Sequence, residues 1–199
     1  QIALPPGDCF IPEGCNRPNV VAIGGIDSFT DAELPDFPLL GELPPDPAQK
    51  SSVNTLTTAI AFSSGWIDKA EILNSLGIST PPQKLLSMDI WAGALAGDGE
   101  SRALQRINQQ LALMLLVTST LKEVNGDCLP GSFPVARAFS DQIRELTIKQ
   151  EQIDLTDPKI ANAILKGADE QLCTVESLNS AAFQAASESV SIINTVVAN

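Results

Sequence analysis

The chain has 199 residues, with 24 acidic against 12 basic side chains and a net charge of −12 at pH 7, which is enough for one domain with a proper core plus an extended arm. Its Lys and Arg residues are scattered rather than clustered, so nucleic acid is excluded as a partner class. Hydrophobic residues make up 44% but aromatics only 5%, with no Tyr and no His; a core of Leu, Ile, Val and Ala favours helix on helix.

Residues 1–50 differ in kind from everything after them. Nine of the fourteen prolines fall here, which forbids a continuous helix and pushes each preceding residue to extended backbone. Yet Ile2, Leu4, Phe10, Ile11, Val20, Val21 and Ile23 are too many apolar groups to leave in water. A short strand is expected over 20–23, ended by Gly24 and Gly25. Two placements are open. The arm wraps its own domain, or part of it lies on a neighbouring subunit, and those seven side chains are then the assembly contact. The start at Gln1 rather than Met suggests a terminus left by a signal peptidase, hence an extracellular or cell-surface protein.

From Ser51 the pattern is helical. Val53, Leu56, Ile60 and Phe62 predict a helix over 53–63, and a second follows over 66–76, stopped at Gly77. Thr80, Pro81 and Pro82 read as a rigid loop. Ser87 is expected to cap a helix over 88–96 with Ile90, Trp91 and Leu95 inward. The longest helix runs from Asp98 to Gly126. Leu104, Ile107, Leu111, Met114 and Leu121 recur at three- and four-residue steps, and Leu113, Leu115, Leu116 and Val117 widen the stripe until the helix must be surrounded. Asp98 is its expected N-cap, with Glu100 in the first turn and Lys122 in the last. Further helices are expected from Ser132 to Gln150, over 158–166 with Gly167 beyond the end, and over 174–197 with Gln184, Glu188 and Asn194 outside. No apolar run approaches the roughly 18 to 20 residues that span a bilayer. The sum is an all-α fold: a bundle of about six to seven helices over residues 51–199, preceded by an extended Pro-rich arm over 1–50 that carries a short strand.

Four cysteines suit an oxidising compartment. Cys9 with Cys15 and Cys128 with Cys173 is the expected pairing, although four cysteines permit three pairings and the sequence leaves the other two open. Closing the loop of about 45 residues between Cys128 and Cys173 is worth roughly 3 to 4 kcal/mol in the chain-entropy model. Zinc prefers short paired spacings or added His, and neither is present. Without His or Tyr, and without a nucleophile elbow, a P-loop or a dinucleotide fingerprint, no catalytic residue and no cofactor are expected. Asp98 with Glu100, and Asp154 with Asp157, lie where helix caps are expected. Calcium is a candidate partner at Asp98, Gly99 and Glu100 or at Asp27, Thr30 and Asp31, in an irregular site rather than an EF-hand.

Residues 22–120 carry an ordered set of short motifs. They are Ile23-Gly24-Gly25-Ile26-Asp27, then Asn54-Thr55-Leu56-Thr57-Thr58, then Ala70-Glu71-Ile72-Leu73-Asn74-Ser75-Leu76-Gly77. Leu86-Ser87-Met88-Asp89, Ala96-Gly97-Asp98 and the Gln/Asn-rich stretch from Gln105 to Gln110 complete it. Their order resembles a helical module of large exported bacterial surface and adhesin-type proteins. The resemblance implies an extracellular, noncatalytic building block with no active-site residues to carry over. The chain departs from that pattern in lacking neighbouring repeat modules and in its N-terminal cysteines. The expectation is therefore a structural subunit of an extracellular bacterial filament, sheath or surface layer, polymerising with copies of itself through the arm. The alternative is a monomeric secreted module that binds a glycan, a pigment or calcium.

Overall fold

The computed structural model describes residues 2–3, 19–23, 38–43, 48, 50–63, 66–125, 133–149, 152–173 and 180–198. Among them lie three strands and eight helices: β1 (Ile2–Ala3), β2 (Asn19–Ile23), β3 (Pro38–Glu42), α1 (Thr55–Ala61), α2 (Trp66–Ser75), α3 (Pro82–Leu85), α4 (Ile90–Leu95), α5 (Gly99–Asn125), α6 (Phe133–Ile148), α7 (Pro158–Leu172) and α8 (Ser180–Ala198). The expected all-α bundle is the observed architecture, with eight helices among the described residues where about six to seven were expected; most of the expected arm over 1–50 lies outside the described residues. No helix among the described residues is long and apolar enough to cross a membrane.

Helix α5 is the hub, touching α1, α4, α6, α7 and α8. Leu104, Leu111, Met114 and Leu115 are fully buried on it, and they join Leu56, Ile60, Phe139, Ile143, Ile164 and Leu165 in one continuous core. Leu116, placed in the buried stripe from sequence, is 41% exposed. The first turns of α5 bury polar groups instead: Ser101, Gln105, Asn108 and Gln110. Asp98 caps it as expected, its carboxylate accepting from the backbone N–H of Ser101 at 2.7 Å and the Ser101 hydroxyl at 2.6 Å.

Several boundaries differ from the sequence expectation. The Pro81-Pro82 segment is the start of a helical turn, α3, because proline with φ near −65° suits a first helical position. Asp89 rather than Ser87 caps α4, accepting from the N–H of Ala92 at 2.9 Å, and Leu95 points outward. Gly77 ends the turn after α2 with φ +75°. Helix α7, capped by Asp157, continues through Gly167 to Leu172. That glycine is a point of close approach rather than a stop, since a Cβ there would sit 2.0 Å from Gln142 Oε1 on α6. On α8, Gln184 and Glu188 are exposed as expected, but Asn194 is fully buried. Its Nδ2 donates to the carbonyl of Leu155 at 2.7 Å, while its own carbonyl accepts from Gln110 Nε2 at 3.0 Å.

The strands form one antiparallel sheet in the order β1-β2-β3, with Val21 opposite Leu40 and Ile2 opposite Val21 on the other side. Its β3 edge is closed by a helix rather than another strand. Thr57 Oγ1 donates to the carbonyl of Leu40 at 2.7 Å, and the N–H of Leu40 donates to Thr58 Oγ1 at 2.8 Å. Both backbone groups of Leu40 are thereby satisfied by α1 side chains, which blunts an edge that would otherwise invite another chain.

Candidate functional site

Three surfaces follow from this fold, and the first is where the arm meets the bundle. Asn54 and Thr57 form a capping box at the start of α1, each side chain holding the other's backbone N–H. Asn108 on α5 takes the next two donors: its Oδ1 accepts from Thr55 Oγ1 at 2.6 Å and from the N–H of Leu56 at 3.2 Å. The motif Asn54-Thr55-Leu56-Thr57-Thr58 is thus a knot in which Asn54 caps the helix, Thr55 and Leu56 are tied to α5, and Thr57 and Thr58 are tied to strand β3. Glu42, at the end of β3, forms an ion pair with Lys69 on α2, both side chains less than a tenth exposed. Gly41 lets β3 pass close to 51–53, since a Cβ there would lie 2.5 Å from the carbonyl oxygen of Ser52.

The arm residues singled out from sequence separate accordingly. Val20 and Val21 are buried within their own chain, and Val21 packs with Leu40 and Ala61. Ile23 is 60% exposed. Ile2 lies in β1, and Leu4, Phe10 and Ile11 lie outside the described residues. The described part of the arm therefore wraps its own bundle, because Thr57, Thr58 and Lys69 offer partners that a strand cannot leave unpaired without cost.

The second surface is the outward side of α8. Ser187 and Ser191 turn inward, donating to Asn162 Oδ1 at 3.3 Å and to the carbonyl of Thr156. This orientation leaves Ala185, Ser189, Ile192, Ile193 and Val196 facing outward, with Ile192 66% and Val196 72% exposed. No charged residue lies on that stripe; Glu188 sits at its flank, accepting from Gln184 at 3.0 Å.

The third is a groove of about 400 Å³ between α6 and α7. Leu146, Ala163 and Gly167 line it together with Gln142, Glu145, Lys149, Lys166 and Glu170. Its charges are paired within each helix: Lys149 with Glu145 at 2.8 Å and Lys166 with Glu170 at 3.5 Å. Gln142 is 8% exposed and lies against Gly167. Its amide makes no hydrogen bond among the described residues.

No known protein family, curated protein or solved structure matches this chain. What it does must come from these surfaces.

The carboxylates of the two acidic pairs, the first of them also a calcium candidate, are engaged by neighbours within the fold. Donation from the Ser101 hydroxyl and backbone holds Asp98 below the usual carboxylate range. Glu100 accepts from Lys84 Nζ at 2.6 Å and from Thr80 Oγ1 at 2.7 Å, and these bonds, Lys84 first, lower its pKa too. Asp154 accepts from the Thr156 hydroxyl at 2.6 Å, and Asp157 from the N–H of Lys159 at 2.8 Å. No group of three metal-ligating side chains occurs among the described residues. Asp27, Thr30 and Asp31 lie outside them. Trp91 is half-buried, and the side chain of Trp66 is not described.

Cys173, at the end of α7, is disulfide-bonded. Cys9, Cys15 and Cys128 lie outside the described residues, so the pairing of Cys173 with Cys128 remains the expectation set out above. Sequence reasoning missed Glu42, Lys69, Gln142 and Gly167. The one available signal was Gly167, an isolated glycine inside an otherwise helical pattern.

Proposed function

We propose that the chain is a structural subunit of an extracellular bacterial filament, sheath or surface layer, assembling through contacts between its own copies. The observation that carries this reading is the outward stripe of α8. Copies of a chain with net charge −12 repel one another unless they meet over a face without carboxylates. Ala185, Ser189, Ile192, Ile193 and Val196 make such a face, with small residues that allow a second helix to approach and β-branched ones that bury apolar area. A contact at this face alone closes into a dimer. A polymer needs a second, heterologous contact, for which the arm ahead of β2 and the exposed Ile23 are the proposed source. The disulfide at Cys173 supports an oxidising compartment, and the resemblance of residues 22–120 to modules of exported surface proteins supports the same placement.

The test is the size of the native protein. Light scattering and negative-stain microscopy should find assemblies that the double substitution Ile192→Glu, Val196→Glu dissolves while far-UV circular dichroism is unchanged. A wild-type chain that stays monomeric at high concentration overturns the proposal. A second reading, a monomeric binding module, is favoured by the groove between α6 and α7.

A further inference from the structure

We infer that the α8 stripes of two copies pair in opposite directions, with Ser189 of one copy against Ile192 of the other and Ala185 against Val196. The inference rests on the proposed contact between copies over α8 and fixes its geometry. Ala185, Ser189, Ile192 and Val196 follow one another at steps of four, three and four residues. That is the average of about 3.5 residues that marks a seam along which two helices interlock at a shallow angle. All four are exposed, and at 3.6 residues per turn they lie opposite Phe183, Ser187, Val190 and Asn194, which face the bundle.

The order of side-chain sizes sets the direction. The seam is small at its start, Ala185 and Ser189, and bulky at its end, Ile192 and Val196. Laid parallel, two such seams put small against small and bulky against bulky, with a gap at one end and crowding at the other. Reversed, every level joins a small residue to a bulky one, so the stripe is complementary to its own copy. The flanks agree. Ile193, 47% exposed, and the partly buried Ala186 edge the seam on one side, and Glu188 and Thr195 edge it on the other. In a reversed pair like flanks meet, so Ile193 is covered by Ile193 and Ala186 of the other copy, while Glu188 stays in water, where repulsion from its counterpart is screened. A parallel pair instead sets Glu188 of each copy against Ile193 of the other, at a cost in carboxylate hydration. The reversed pair has a two-fold axis passing between Val190 and Ser191, and it is closed. Dimers of this kind, joined head to tail by a second contact, build a two-stranded filament or a layer rather than a single file of copies.

The experiment is disulfide trapping in the full chain. Ala185→Cys, Val196→Cys and the double variant are oxidised with copper phenanthroline and run on non-reducing gels beside the wild type. Positions 185 and 196 lie about 16 Å apart along one helix, at about 1.5 Å per residue, and a disulfide needs Cα atoms within about 7 Å. The two cysteines therefore cannot bond within one copy, and neither can reach its own counterpart in a reversed pair. The expected result is a covalent dimer from the double variant, and from an equal mixture of the two single variants, but from neither single variant alone. A covalent dimer from one single variant alone means that the helices run the same way, which overturns this inference and leaves the α8 contact in place. No covalent dimer from any variant, in samples that light scattering shows to be assembled, overturns it by moving the contact off α8. Samples that stay monomeric overturn the assembly and this inference with it. Both substituted side chains are exposed, and far-UV circular dichroism checks that the helices are kept.

Discussion

Glu42 and Lys69 meet in a buried ion pair that ties the last residue of strand β3 to the middle of helix α2. Glu42 Oε2 has no hydrogen-bond partner, so the carboxylate depends on the ammonium beside it. Removing one member of such a pair strands the other charge without water. Lys69→Met should therefore destabilise the fold by about 3 kcal/mol or more. The double variant Glu42→Gln, Lys69→Met should recover most of that loss, because no isolated charge is left inside. Urea unfolding of the three proteins measures the coupling; additive losses would mean that the two residues act independently.

Gly167→Ala tests the approach of α7 to α6. The added methyl would fall on the Gln142 amide, and overpacking of this kind costs about 1 to 3 kcal/mol. Alanine is otherwise the better helix former, so the same substitution in a Gln142→Ala background should stabilise the chain by a few tenths of a kcal/mol up to about 1. The reversal of sign between backgrounds, read from thermal melts, is the diagnostic result.

The parts of the fold that could be read from sequence were those written in one element's own pattern. Leu104, Leu111 and Met114 announce a buried helix by their spacing, and Asp157 followed by Pro158 announces a helix start. What could not be read lies between elements. Asn194 looks like an outer residue until Leu155 and Gln110 are brought against it. Ile148 and Ile193 fall on or beside the apolar stripes of their helices but reach past the last neighbour into solvent. The groove was illegible for the same reason: nothing local distinguishes Gln142 from any other glutamine until α7 is laid across it.

Acid should loosen the junction between α3 and α5. Asp98 and Glu100 titrate below their ordinary values of 3.8 and 4.5 because Ser101, Lys84 and Thr80 hydrogen-bond to the ionised forms. Groups with depressed folded-state pKa values contribute stability that is fully present above those ordinary values and is lost as pH falls through the depressed ones. Asp141 has the opposite sign: burial raises its pKa despite Arg137 and Arg144, so protonating it relieves a cost. In melts taken from pH 6 downward, Asp98→Asn with Glu100→Gln should flatten the acid limb starting near pH 4.5, whereas Asp141→Asn should steepen it.

Shortening the arm should have a sharp threshold. Deleting residues 1–18 removes β1 but leaves β2 paired along all of β3, and leaves β3 held by Thr57, Thr58 and Lys69. That variant should keep its helical circular dichroism and a single cooperative melt, and it should lose the polymer while keeping the α8 contact. Deleting residues 1–43 is different in kind. It uncovers the apolar cluster beneath β3, where Ala61 and Phe62 pack against Val21 and Leu40. It takes Leu40 away from the two threonine hydroxyls and leaves Lys69 without Glu42. The lost hydrogen bonds cost about 1 to 3 kcal/mol and the broken ion pair about 3 kcal/mol or more, together a large fraction of the roughly 5 to 15 kcal/mol that holds a typical domain together. A sharply lowered melting temperature is expected for this deletion alone. If both truncations melt like the full chain, the sheet is an appendage to the bundle and the Thr57–Leu40 contact adds nothing to its stability.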